Sequence, residues 1–353
     1  MKILKHKKRK KQKRQQKQPI SSSKIALITG ANSGIGFAIA QRLLYHSSQN
    51  PLDKYRILLG CRNEVKASKA RTDLLKEYPN SLIDIVIVDV SSVNSIFKFC
   101  RKLKKKYDHI DLLFCNAGIL SCVYVDWWIF PHQLLSNPKE LFTDTKSIIQ
   151  PVGNLTEEGL GETFACNIFG HYVMIHQLED MLAAAGHARI IWTSSCTARR
   201  DDYNPIDYQC IEGSSPYESS KYITDIISVA LNSRLNQRNI FSFTTHPGVV
   251  ATNIVSDHLG FVMGKLMKIG FYTARILGLK EETITAWNGS YSNYIVATQP
   301  IENLNKYHKY GSYVKPWGSV YYLDELIDRY NENEALSLLK KLDDLILEFK
   351  KKH

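Results

Sequence analysis

Residues 24–36, KIALITGANSGIG, decide the fold of this 353-residue chain. The apolar run at 24–28 predicts a buried strand and the apolar spacing at 37–45 predicts a helix, so the glycines fall in the turn between them. Glycines there let a backbone approach a pyrophosphate, whose charge the N-terminus of the helix stabilises. The GxxxGxG spacing also occurs in plain turns, and only its strand–helix context favours a nucleotide site. The predicted nucleotide-binding turn comprises Gly30, Asn32, Ser33, Gly34, Ile35 and Gly36.

This strand–helix unit repeats along the chain. Apolar runs alternate with helical periodicity, which favours a parallel sheet covered by helices on both faces, the Rossmann-type doubly wound α/β class in a single domain. Ligands of such sheets bind at the carboxyl ends of the strands. Strands are predicted at 56–59, 83–88, 112–115, 189–193 and 241–245, and helices at 64–78, 93–107, 163–181 and 217–235.

The chain divides into three regions. Residues 1–23 are predicted to be a basic disordered arm, residues 24–322 the α/β domain with an insertion at about 119–153, and residues 323–353 a C-terminal amphipathic helix. Ten basic residues and no acid lie in residues 1–18, so most of the net charge of +12 belongs to the arm. A solvated tail is favoured over binding to nucleic acid or to an anionic membrane.

The cysteines and the hydropathy pattern bear on the compartment. Seven cysteines without close CxxC pairs, in a chain that opens with no secretory signal, indicate reduced thiols in the cytosol. No apolar run reaches the ~18 residues that a transmembrane helix needs.

The end of the second strand bears on the choice of cofactor. A ribose 2′-hydroxyl is usually held by an acid at this point, whereas a 2′-phosphate needs a cation. The strand ends Gly60-Cys61-Arg62 with no acid before Arg62, which favours NADPH. The alternative is that Arg62 only solvates the start of the next helix.

Two further strand ends carry acidic or small residues. Asp89 and Val90 end the third strand, where the carboxylate would lie near an adenine rim. Asn116, Ala117 and Gly118 end the fourth. Each pattern is weak alone, because an Asp after a strand commonly caps the following helix.

The strongest pattern joins a strand end to a helix start. Ser194 and Ser195 follow the strand at 189–193, and Tyr217 and Lys221 lie one helical turn apart where the next helix begins. A nearby ammonium is expected to lower the pKa of the phenol so that it exchanges a proton near neutral pH, while Ser195 holds the substrate oxygen. Most isolated Tyr-x-x-x-Lys pairs only decorate a surface, but the position of this one after the nucleotide-binding unit favours catalysis.

Five motifs follow one another within residues 24–252, in the order TGANSGIG, DV, NAG, a serine and YxxxK. In this order of motifs the region resembles the short-chain dehydrogenase/reductase family. The resemblance implies Tyr217 as acid/base and Lys221 as its pKa modulator and ribose ligand. It implies Ser195, with Ser194 as the rival, as the residue that positions the oxyanion, and Asn167 as holder of a water-linked proton path. The PG-x-x-x-T segment adds the cofactor-binding residues Pro247, Gly248, Val250 and Thr252.

A narrower resemblance is found in residues 191–195, in residues 215–225 and in the insertion. These parts resemble the 3-keto-steroid reductases of sterol C-4 demethylation, a branch that includes 17β-hydroxysteroid dehydrogenases. This resemblance implies NADPH-dependent reduction of a sterol or steroid ketone at the cytosolic face of the endoplasmic reticulum, with the cytoplasm as the alternative. Membrane-surface association and a homodimer are further expectations, and nucleic acid is not an expected partner. The alternatives are a retinol or other lipid-alcohol dehydrogenase of the same fold, and a non-catalytic scaffold that uses the basic arm.

A sterol needs an apolar pocket, and the insertion and the segment after Thr252 supply apolar side chains for its walls. Any one of these side chains could equally be ordinary core packing. They are Trp127, Trp128, Phe130, Phe261, Met263 and Phe271. The terminal KKKH matches a dilysine retrieval signal of the endoplasmic reticulum, although lysines also favour a helix C-terminus by interaction with the helix dipole.

Overall fold

An eight-stranded sheet organises the chain. The computed structural model describes residues 23–125, 148–250 and 278–351. The strands are β1 (Lys24–Thr29), β2 (Tyr55–Cys61), β3 (Leu82–Ile87), β4 (Leu112–Cys115), β5 (Tyr124–Val125), β6 (Ile148–Ile149), β7 (Ala188–Thr193), β8 (Ile240–His246), β9 (His308–Val314) and β10 (Val320–Leu326). The sheet has the order β10-β9-β8-β7-β4-β1-β2-β3, while β5 and β6 form a separate antiparallel pair. All neighbours in the large sheet are parallel except β9 and β10, which confirms the predicted α/β fold class.

Helices cover both faces of this sheet, so its central strands β4 and β7 are buried at every residue. Among the described residues, no helix is both long and apolar enough to cross a bilayer. The helices are α1 (Gly34–Gln49), α2 (Glu64–Glu77), α3 (Val93–Lys106), α4 (Glu162–Phe164), α5 (Gly170–Ala184), α6 (Pro216–Leu235), α7 (Ala286–Gly289), α8 (Tyr291–Thr298) and α9 (Glu332–Lys351).

The C-terminal region differs from the prediction. The helix predicted over 323–353 begins only at Glu332, because residues 320–326 pair with β9 as the edge strand β10. The aromatic and β-branched residues at 320–322 suit a strand, and the pairing with β9 overrides the helical pattern. Three of the predicted features lie wholly or partly outside the described residues. The parts outside are residues 1–22 of the arm, residues 126–147 of the insertion and residues 352–353 of the dilysine signal.

Arg42 on α1 contacts the two helices α7 and α8. Its guanidinium carbon lies 4.0 Å from the ring centre of Trp287 and 5.1 Å from that of Tyr291, and its Nη2 donates to Trp287 O at 2.6 Å. Burial lowers the pKa of Arg42 to about 10, while the ring faces stabilise the cation. Arg42 therefore holds α7 and α8 against the helix that follows the glycine-rich turn.

A buried hydroxyl connects β1, β4 and α5. Thr29 Oγ1 accepts hydrogen bonds at 2.9 Å from the backbone N–H groups of both Asn116 and Ala117. It also lies 2.9 Å from His171 Nε2 on α5, and burial lowers the pKa of this imidazole to about 3. His171 is therefore neutral at physiological pH, and with Thr29 it positions the loop that follows β4.

We expect His171 to make stability depend on pH. Since its folded-state pKa lies below the ordinary 6.5, the unfolded chain binds the proton first, so stability is full above pH 6.5 and falls as the pH drops toward 3. The slope is about 1.4 kcal/mol per pH unit. Urea unfolding from pH 7 to pH 4 should therefore give a shallower decline for H171Q than for the wild type. Parallel declines would contradict this assignment.

Candidate active site

A cavity of about 1340 Å³ opens at the carboxyl ends of the central strands. It lies at the switch point of the sheet, where β1 has β2 on one side and β4 on the other. All predicted cofactor residues line it except Gly36, which packs behind the turn, and Thr252, which lies outside the described residues. Tyr217 and Lys221 also line it.

The glycine-rich turn fits a nucleotide pyrophosphate. A Cβ on Gly36 would lie 2.5 Å from Gly30 O, so the first turn of α1 packs directly on the backbone that leaves β1. Gly30 has φ +67°, a conformation that favours glycine. Ser33 precedes α1 without a capping hydrogen bond from its side chain, and the first residues of the helix line the cavity, so this helix N-terminus can bind an anion.

Two cations lie where a 2′-phosphate would be bound. Arg62 follows β2 with a side chain 78% exposed, and its Nη1 is 3.9 Å from Asp89 Oδ2. Lys66, in the first turn of α2, also lines the cavity. The sequence analysis did not identify Lys66, although a second cation at the start of the helix after Arg62 could have indicated it. Asp89 accepts hydrogen bonds from Ser91 N at 3.0 Å and Ser91 Oγ at 2.7 Å, so it holds the turn after β3. The alternative that Asp89 caps the following helix is wrong, because the N-cap of α3 is Ser92.

The structure brings the predicted catalytic residues together. Lys221 is buried, its Nζ donates to Thr193 O at 2.8 Å and lies 5.4 Å from the ring centre of Tyr217. The Ser195 side chain lies beside the Tyr217 phenol, where it favours the ionised form, whereas Ser194 Oγ donates to Lys221 O at 3.2 Å. The two serines therefore have different partners, and it is Ser195 that lies next to the phenol.

Asn167 lies in a π-helical segment, Ala165–Phe169, between α4 and α5. Its side chain accepts from Ile119 N at 2.8 Å and donates to Ile119 O at 3.1 Å and to Ser220 Oγ at 2.9 Å. It thus connects the loop after β4 to the helix that carries Tyr217. The prediction of a regular helix over 163–181 did not include the π turn, a distortion that is frequent at functional sites.

The pKa of Tyr217 shifts opposite to the prediction. Burial raises it, the neighbouring Glu218 carboxylate raises it further, and the hydrogen bond with Ser195 opposes them. Burial lowers the pKa of Lys221 to about 8. At neutral pH the site therefore holds a protonated phenol beside a largely charged ammonium.

Gln150 is a buried contact that the sequence did not indicate. Its Oε1 accepts from Tyr217 N at 2.9 Å, and its Nε2 donates to Glu218 Oε2 at 2.7 Å. It follows β6, so one side chain of the insertion holds the first turn of α6. No local pattern distinguishes Gln150, since its partners lie far along the chain.

The family follows from comparison with known proteins. Residues 24–259 match the family model described as short chain dehydrogenase. The chain therefore belongs to the short-chain dehydrogenase/reductase family, and is an oxidoreductase acting on CH–OH or C=O groups.

Its relatives include sterol enzymes. The chain is 33% identical over 328 residues to the 3-keto-steroid reductase/17-beta-hydroxysteroid dehydrogenase 7 of Homo sapiens, covering 91% of this chain and 93% of the relative. It is 29% identical over 343 residues to the 3-keto-steroid reductase of Kluyveromyces lactis, covering 93% and 98%.

Solved structures share the fold. Levodione reductase superposes with a TM-score of 0.58 at 16% identity, covering 80% of this chain and 93% of that one. An NADPH-bound short chain oxidoreductase from Pseudomonas aeruginosa PAO1 gives the same TM-score at 12% identity, covering 80% and 93%. These similarities support the fold alone.

Gly36→Ala should weaken binding of the nicotinamide nucleotide. The added methyl group would displace the glycine-rich turn, and overpacking of this kind costs about 1–3 kcal/mol, or roughly tenfold to a hundredfold in affinity. Fluorescence titration with NADPH and NADH measures the loss. Gly213→Ala is the control, because the nearest atom to its Cβ is 3.6 Å away. Equal affinities for the two variants would show that the turn does not hold the nucleotide.

Proposed function

We propose that this chain is an NADPH-dependent reductase of a sterol or steroid ketone. The observation that carries the proposal is the contact of Ser195 and Lys221 with one protonated phenol, Tyr217, at the edge of a nucleotide-sized crevice. The relatives named 3-keto-steroid reductase align over nine-tenths of this chain and of their own lengths, which supports a ketone on a steroid ring as the substrate.

Proton donation is the role we assign to Tyr217. When bound, NADPH would supply a hydride to the carbonyl carbon, which would leave the carbonyl oxygen as an alkoxide. Because burial raises the pKa of Tyr217, the phenol keeps its proton until this stronger base forms beside it, and then transfers it to give the alcohol. The Ser195 hydroxyl orients the substrate oxygen toward the phenol.

Lys221 and Asn167 support this transfer. The Lys221 ammonium, held by Thr193 O, provides a positive charge that stabilises the phenolate left after transfer and can bind a ribose hydroxyl. Asn167 spans the loop after β4 and α6, which suits it to hold a water that returns the proton to the site.

The chemistry of the second strand supports NADPH over NADH. The cations Arg62 and Lys66 line the cavity beside α2, and the strand end before Arg62 carries no acid that would repel a phosphate. The only opposing charge paired with Arg62 among the described residues is Asp89, at 3.9 Å.

We also propose the cytosolic face of the endoplasmic reticulum as the site of action. A steroid ketone partitions into membranes, so an enzyme that takes it from a bilayer gains from binding at the membrane surface. The named relatives support the steroid substrate on which this proposal rests.

The purified chain should oxidise NADPH in the presence of 3-keto sterols. Turnover is measured in parallel with 17-keto steroids and retinal. Tyr217→Phe removes only the transferable proton, so kcat should fall by at least about 100-fold while the Kd for NADPH stays unchanged. Retinal as the preferred substrate would identify a lipid-alcohol dehydrogenase instead, and wild-type turnover in Y217F would exclude the mechanism.

Reversing the charge at position 62 should change the cofactor preference. Arg62→Asp removes a cation from the 2′-phosphate and supplies an acid for a ribose hydroxyl, so kcat/KM for NADPH relative to NADH should fall at least about tenfold. Lys69→Asp, the same charge change on an exposed position of α2, is the control. An unchanged ratio in R62D would mean that another cation binds the phosphate.

A further inference from the structure

A buried lysine two strands away in the sheet binds the backbone of Ser195. Lys309 on β9 donates from Nζ to Ser195 O at 3.0 Å and to Asp225 Oδ2 at 2.8 Å. Lys309 is 7% exposed and Asp225 is 1% exposed. A buried ion pair is expensive to desolvate, and neutral residues of similar volume are often as stable. Stability alone therefore does not explain why this pair is here.

The pair lies directly behind the proposed catalytic residues. Asp225 follows Lys221 on α6 at the same spacing as Lys221 follows Tyr217, so all three occupy one face of the helix. Lys309 joins this face to the end of β7 through the Ser195 carbonyl. The β8–β9 pairing, with Thr244 opposite Lys309, fixes the strand from which the lysine reaches across.

The bond from Lys309 to the Ser195 carbonyl affects where the Ser195 hydroxyl lies. The Ser195 side chain lies beside the Tyr217 phenol and hydrogen-bonds with Thr197 Oγ1 at 2.9 Å. Ser195 follows the last residue of β7 by two positions and is no longer held by the strand ladder. Its carbonyl also accepts from Ala198 N at 3.4 Å, a longer bond than the 3.0 Å bond from Lys309 Nζ. The position of its hydroxyl depends on this stretch of backbone, and small misplacements of such groups reduce rates strongly.

We propose that Lys309 is a positioning residue, which holds Ser195 against Tyr217 through the Ser195 carbonyl and is itself anchored by Asp225. Lys309 is not among the residues that line the cavity, so it acts through Ser195. The inference rests on the proposed function, since it assigns the lysine to the same Ser195–Tyr217 contact.

Three variants separate positioning from a purely structural ion pair. D225N removes the negative charge but leaves an amide oxygen that can still accept from Lys309 Nζ, so Lys309 stays anchored and keeps its bond to Ser195 O. K309M/D225N removes both charges and also the bond, without leaving a buried unpaired charge. K306M is the matched control, because Lys306 also bonds to α6, through Ser233 Oγ at 2.7 Å, but away from Ser195.

We expect kcat to fall only in the variant that loses the bond between Lys309 and the Ser195 carbonyl. The D225N and K306M variants should retain kcat near the wild-type value. The K309M/D225N variant should keep its melting temperature and its Kd for NADPH but lose about tenfold in kcat, the equivalent of one hydrogen bond. Wild-type kcat in a folded double variant would overturn the proposal. If the double variant does not fold, a tenfold loss in D225N would overturn it, because that variant keeps the Ser195 contact.

A second readout does not need turnover. In protein labelled with carbon-13 at tyrosine Cζ, the Tyr217 resonance is assigned from Y217F, and S195A gives its position without the serine contact. The K309M/D225N resonance should move toward the S195A position, while D225N and K306M stay at the wild-type position. A double variant at the wild-type position would overturn the proposal. If the wild type reduces no ketone, the proposed function fails, and this resonance still decides whether Lys309 positions Ser195.

Discussion

The close approach of the turn after β1 to the end of β4 is the constraint on which the site depends. A side chain on Gly36 would meet Gly30 O at 2.5 Å, and the Thr29 hydroxyl binds two consecutive N–H groups of the β4 loop. The two strand ends are therefore fixed relative to each other with little freedom. Because β2 and β4 leave β1 on opposite sides, this point is also where the crevice opens.

Burial then sets the protonation states in the crevice. The phenol of Tyr217 is difficult to ionise where it lies, while the pKa of Lys221 falls only to about 8, so the ammonium stays largely charged at neutral pH. This combination suits the reductive direction, in which the enzyme must keep a proton until an alkoxide forms beside it. The Lys221 ammonium then lies next to the negative charge that proton transfer leaves on the Tyr217 oxygen.

Much of this could be predicted from local patterns. The turn at Gly30, the i and i+4 pair Tyr217 and Lys221, and the alternation of strands and helices are short-range features, and each predicts its own geometry. The strand β10 and the π turn around Asn167 could not be predicted in this way. Residues 320–326 pair in the sheet only because β9 lies beside them, and the helical pattern that extends into this stretch carries no sign of that neighbour.

The sequence by itself determined the fold class, the order of the motifs and the identity of the residues that could carry the chemistry. Only the tertiary structure decided which of Ser194 and Ser195 reaches Tyr217, and that the pKa of the phenol rises rather than falls. It also brought Gln150 to the start of α6 and Lys309 to the Ser195 carbonyl. The physical reason is that desolvation and long-range hydrogen bonds depend on residues far apart in the chain, whose proximity is set by packing of the whole sheet.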